Sequence, residues 1–146
     1  MNPKIDITAP IIPWEGLGGV KLYSHIRELK ELVESENTKA FIPFGSSLRY
    51  EIDETISLHF NIYNGKLYKI RALEKYKGKL FDQIYIGQTI EETLKLEPSF
   101  RYDDFEEVYE SKKGVFIETD PITDSVLWIS VFVRELYSDE FDEGLW

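Results

Sequence analysis

Residues 85–96, YIGQTIEETLKL, decide how the chain is read. Tyr85 and Ile86 end an apolar run, Gly87 permits a turn, and Thr89 stands where a helix takes a side-chain cap. Ile90, Leu94 and Leu96 then supply the apolar positions of a short helix. The same pattern stands 64 residues earlier in residues 21–32, KLYSHIRELKEL, with Ile26, Leu29, Leu32 and Val33 on one helical face. At that offset Leu22 aligns with Ile86, Ile26 with Ile90, Glu28 with Glu92 and Leu32 with Leu96. The expectation is a strand–turn–short-helix unit used twice, with helices over residues 24–34 and 88–96.

Each helical stretch is followed by strand signals. Ile56, Leu58, Phe60 and Ile62 alternate with Ser57, His59 and Asn61, and a second alternating run covers residues 67–72. Asn64-Gly65 between them predicts a hairpin in which both turn residues take positive φ. Residues 81–86 read as a further strand, and Val108 and Tyr109 lie in another. Residues 115–118 and 126–133 follow, separated by the turn signal Asp120-Pro-Ile-Thr-Asp124. The run VLWISVFV at 126–133 is apolar nearly throughout, as a central strand requires. At the start of the chain Pro3, Pro10 and Pro13 restrict the backbone to extended and turn forms, with a short edge strand around Ile5 and Ile7. The predicted fold class is α+β: one antiparallel sheet with short helices on one face, built from two helix-plus-strands units. A single domain spans residues 1–146, with pseudo-repeats at 19–75 and 82–135 and an acidic tail at 136–146.

The chain has 146 residues, enough to bury roughly 68% of the surface its unfolded form exposes. With 42% hydrophobic and 14% aromatic residues it can furnish that core. The absence of cysteine excludes a disulfide framework, thiolate metal ligation and a Cys nucleophile. No charged-then-apolar leader opens the sequence, and no apolar run nears the ~20 residues of a membrane span. A soluble, cytoplasmic protein is expected.

Charge is divided unevenly. Residues 1–90 carry 12 Lys/Arg and 11 Asp/Glu, whereas residues 91–146 carry 5 and 16, a net of −11. Such a half repels nucleic acid and anionic membrane and attracts a basic partner. Acidic residues there are interleaved with aromatic ones, the composition of a protein-recognition surface. Asp103, Asp104, Glu106, Glu107 and Tyr109 are the first candidate contacts, joined by Asp139 and Glu140 in the tail.

Catalytic signatures are missing. His25 and His59 are the two histidines, and His59 falls on the polar side of its strand as an ordinary surface residue. Gly45-Ser46-Ser47 lacks the Gly-x-Ser-x-Gly pattern of a nucleophile elbow. The glycines of residues 14–19, WEGLGG, have the wrong spacing for a dinucleotide fingerprint and suit a tight reversal, with Trp14 covering the core. Neither the Asp120–Asp124 turn nor the tail acids have the alternating ligands of a calcium loop. No enzyme, metal or cofactor is expected. The alternatives carried forward are a small-ligand or enzymatic domain with a carboxylate-lined cleft, and a housekeeping interaction module.

The two units VKLYSHIRELKEL and IYIGQTIEETLKL resemble the repeat of β-lactamase-inhibitor-like folds and outer-membrane assembly lipoproteins, over about two thirds of the chain. Size, acidity, lack of cysteine and lack of catalytic residues are similar to the small bacterial immunity proteins of polymorphic-toxin and contact-dependent-inhibition systems. That second resemblance implies a cytoplasmic protein that binds and blocks a cognate basic toxin, such as a nuclease.

Overall fold

The computed structural model describes residues 5–146, so the expectation for Pro3 lies outside the described residues. A small hairpin comes first, β1 (Gly16–Leu17) and β2 (Val20–Lys21), closed by Gly18 and Gly19 at φ +67° and +82°. Two consecutive left-handed residues suit the twist of a two-residue hairpin, which explains the glycine pair. A 3₁₀ turn (Ile26–Leu29) and α1 (Lys30–Val33) lead into β3 (Thr38–Ala40), β4 (Ser47–Ile52), β5 (Ile56–Asn61) and β6 (Leu67–Ala72). After α2 (Ile90–Leu96) come β7 (Arg101–Asp103), β8 (Val108–Ser111), β9 (Val115–Thr119) and β10 (Val126–Phe132), then a 3₁₀ turn at Arg134–Tyr137.

Strands β3 to β10 form one antiparallel sheet of eight, in the order β3-β4-β5-β6-β10-β9-β8-β7. Each four-strand run is a meander, and the last strand of one pairs with the last strand of the other. At that seam Ile129 faces Ala72, Ser130 faces Arg71, Val131 faces Ile70 and Phe132 faces Lys69. Two strands from distant parts of the chain thereby become the centre of the sheet. This is where the apolar run at 126–133 belongs.

The α+β expectation is overturned: the protein is β-rich, and among the described residues α-helix is confined to four residues in α1 and seven in α2. The first predicted helix breaks because Leu29 leaves helical geometry at φ −110°, ψ 20°, between the 3₁₀ and α segments. Its entry is capped by His25, whose Nδ1 accepts from the Arg27 amide while the Glu28 carboxylate accepts from the His25 amide. Thr89 caps α2, its hydroxyl accepting from the Glu92 amide at 3.3 Å. The predicted strand at 81–86 is instead a turn, with Phe81 and Asp82 at positive φ. Ile5 and Ile7 likewise make no strand; Asp6 accepts from Thr8 in a local turn. In the β5–β6 hairpin only Gly65 takes positive φ, so the connection is longer than the two-residue turn expected. The Asn61 side-chain oxygen closes it by accepting from the amides of Tyr63 and Asn64.

One face of the sheet holds the main core. Ile56, Leu58 and Phe60 of β5, Ile70 and Ala72 of β6, Ile129 and Val131 of β10, and Val115 and Ile117 of β9 are all fully buried. A bulge between His59 and Phe60 shifts the register, so that Leu67 also enters the core. Leu17, Val20, Leu32, Leu80, Ile84 and Ile90 from the connecting segments join this cluster. The C-terminal segment docks as well. Phe141 packs edge-on to Tyr68 at 5.0 Å and stacks on Trp146 at 5.5 Å, while Asn61 Nδ2 donates to the Phe141 carbonyl. Among the described residues no helix is long and apolar enough to cross a membrane.

Burial predicts a clear contrast in stability. Ile70→Ala empties a fully buried position between Leu58 and Val131 and is expected to cost about 2–5 kcal/mol. Ile122→Ala, at a side chain 92% exposed, is expected to stay within about 0.5 kcal/mol of the natural chain. Urea midpoints of the two variants check it.

Candidate partner-binding surface

The β7–β8 hairpin gathers four of the acids singled out from the sequence. Asp103 ends β7, and its Oδ1 accepts from the amides of Phe105 and Glu106 at 2.9 and 3.1 Å. The Glu107 amide donates to the Asp103 carbonyl at 2.7 Å, with Glu107 itself at φ +57°. This bonding sets the turn and turns Asp104, Glu106 and Glu107 outward. Phe105, at the tip, is 90% exposed. Ion pairs among the described residues join Arg71–Glu118, Lys75–Glu54, Lys95–Glu91 and Lys113–Glu97, and none of them uses an acid of this turn.

Tyr109 is partly buried beside that turn rather than held out from it. Alternation along β8 turns it to the core side, where its ring meets Tyr102 at 5.0 Å, while Val108 and Glu110 face the other way. Asp139 and Glu140 are exposed in the docked C-terminal segment, following Tyr137, whose hydroxyl donates to Glu110. Burial and the adjacent Glu110 carboxylate push the Tyr137 phenol well above its usual range.

Charge reading alone misses the second face of the central strands. Direct cross-strand neighbours there are Arg49, His59 and Lys69 in one row, and Glu51, Ser57, Arg71 and Ser130 in the next. His59 is a buried residue, not the surface histidine expected, with its Nε2 2.9 Å from the Ser57 hydroxyl. Burial first, then Lys69, Arg71 and Arg49, hold the imidazole pKa well below its usual 6.5, so the ring is neutral at neutral pH. Burial and the neighbouring Arg71 bring the Lys69 amine down to about 8. Arg71 pairs with Glu118 at 3.3 Å and lies over Trp128, while its Nε and the Ser130 hydroxyl are buried without hydrogen-bond partners.

This face carries two concavities divided by Tyr68. One, about 630 Å³, has Lys69 and Arg71 on one wall and Asp103, Glu106, Glu110 and Glu118 on the other. The second, about 680 Å³, is floored by Arg49 and His59. Ser57 and His59 do not make a nucleophile: Ser57 is fully buried, and no carboxylate bonds to the imidazole among the described residues. Among the described residues no three His, Asp or Glu side chains converge as metal ligands. Asp120 serves its own turn, accepting from the amides of Ile122 and Thr123.

No protein-family model matches the chain, and no curated protein matches it in sequence. Solved structures that share its fold include two at low identity. An extracellular protein containing a SCP domain from Bacillus anthracis str. Ames aligns over 78% of this chain with a TM-score of 0.53 and 14% identity. A cysteine-rich secretory protein from Staphylococcus aureus subsp. aureus Mu50 aligns over 88% with a TM-score of 0.53 and 13% identity. The chain spans 44% and 49% of those two proteins, so the likeness is to part of each. Neither is described as an immunity protein.

The crowded cations give a pH signature. The Lys69 amine titrates near 8 when folded, against an ordinary 10.5. The unfolded chain therefore binds more protons between those values, and the penalty from a charged Lys69 is full below pH 8 and fades as pH rises to 10.5. Lys69→Met is expected to raise stability at pH 7, by no more than about 3 kcal/mol, and to flatten the pH dependence between 8 and 10. His59 acts on the other limb, its neutral folded form losing stability as pH falls below 6.5. Urea titrations at stepped pH measure both.

Proposed function

We propose that the protein is a binding module that engages a basic protein partner through the acidic β7–β8 turn, in the manner of an immunity protein neutralising a cognate toxin. The observation that carries this reading is Phe105, 90% exposed at the tip of a turn whose acids Asp104 and Glu107 make no ion pair among the described residues, with Glu106 beside them across the concavity from Lys69. A large ring held out by fixed backbone bonding supplies the apolar anchor of an interface. The surrounding carboxylates supply long-range attraction and register toward positive charge. Hydrogen bonds from the turn amides to Asp103 prepare the shape before binding, which lowers the ordering cost. Asp139 and Glu140 extend the negative field along the C-terminal segment.

The second reading is a small-ligand domain, favoured by the 630 Å³ concavity with cations and carboxylates on facing walls. Cellular location discriminates the settings. An immunity protein works in the cytoplasm of its producer, whereas both structural neighbours are described as extracellular or secretory. Fractionation of the native host reads this directly.

Affinity capture on the immobilised chain, followed by titration of the retained basic protein, tests the surface. Phe105→Ala is expected to weaken binding about 30-fold, and D104K/E106K/E107K to slow association at least tenfold while flattening its salt dependence. A partner that binds both variants as tightly as the natural chain contradicts the proposal.

A further inference from the structure

We infer that the groove floored by Arg49 and His59 binds an organic oxyanion, a carboxylate or phosphate head joined to an apolar body. In a chain with 27 acidic residues, this groove of about 680 Å³ has no carboxylate in its lining. Lys39 and Arg49 enter it from adjacent strands, β3 and β4. Among the described residues the Arg49 guanidinium has neither an ion pair nor a hydrogen bond. It lies over the Phe41 ring, 3.7 Å from the centroid, a cation–π contact that uses none of its N–H donors in a hydrogen bond. Lys39 Nζ stands 4.9 Å from the same ring. Lys69, beside His59 on the next strand, adds positive potential from behind.

The second half of the site is apolar. Ile42 and Phe44 line the groove at 92% and 89% exposure, with no packing role in the fold. Lys39 and Arg49 bring positive charge to one side of the groove, with Glu51 directly across from Lys39 outside its lining, and Ile42 and Phe44 bring exposed apolar surface to the other. A ligand with an anionic head and an apolar body is complementary to both. The neutral His59 ring, bonded to Ser57 through Nε2, has no protein partner at its other nitrogen among the described residues and faces the head group. The inference is independent of the acidic-turn reading, since it uses the other half of the sheet.

The test is titration of the full chain with monooctyl phosphate, inorganic phosphate and phosphatidate vesicles, followed by backbone amide shifts and sedimentation. Saturable binding of monooctyl phosphate is expected, at least tenfold tighter than inorganic phosphate, with shifts centred on Arg49 and His59. Arg49→Gln is expected to weaken it at least tenfold. Phe44→Ser, at a side chain the fold does not use, is expected to reduce octyl phosphate binding while leaving inorganic phosphate unchanged. Binding to vesicles alone, lost in Arg49→Gln, assigns the same head-group site to a lipid surface. Absence of binding in every arm overturns the inference, as does binding unaffected by both substitutions or shifts centred on the Lys69–Arg71 concavity.

Discussion

The pairing of β6 with β10 is the contact on which the rest depends. It is made by two strands more than fifty residues apart, and it converts two four-stranded meanders into one sheet. Every core residue of β6 and β10 that faces the main core is fully buried, so the seam joins the interiors of the halves as well as their backbones. Without it, each meander exposes a hydrophobic edge strand, a template for wrong pairing. The β1–β2 hairpin contacts β6 and β10 alike, and lies where the two halves meet.

The seam also decides where charge goes. Because Arg71 and Lys69 sit opposite Ser130 and Phe132, the second face of β6 is hemmed by a strand without carboxylates. Glu118, one strand further, reaches Arg71, while Lys69 has no ion-pair partner among the described residues. Cations thus collect on the β4–β6 side, and the acids of the second half are displaced toward the outer β7–β8 hairpin. The two signs meet where Lys69 and Arg71 face Asp103, Glu106, Glu110 and Glu118 across one concavity, and beyond it the β7–β8 tip is left acidic.

Much of the strand content was legible before folding. Alternation at 56–62 and 67–72 identified the hairpin, and the apolar run at 126–133 identified a central strand. That same alternation contained the cation row: Ser57 and His59 share a face with Lys69 and Arg71 once the hairpin is closed. What it does not contain is their burial, because the segment that covers Tyr68 through Phe141 arrives from the far end of the chain. Helix length was overread, since one apolar face over eleven residues fits both a helix and a 3₁₀ turn that breaks at Leu29. The partial burial of Tyr109 against Tyr102 is not legible from charge along the sequence, because a strand sends successive side chains to opposite faces. No local signal announces the seam at all. Its two strands meet only through tertiary packing.

Native-state hydrogen exchange of the backbone amides tests the seam most directly. If β6–β10 pairing unites the molecule, the amides of Ile70, Ala72, Ile129 and Val131 exchange slowest, and both meanders share the same global opening free energy. Two separate opening free energies, one for β3–β6 and another for β7–β10, with fast exchange at the seam, contradict the account.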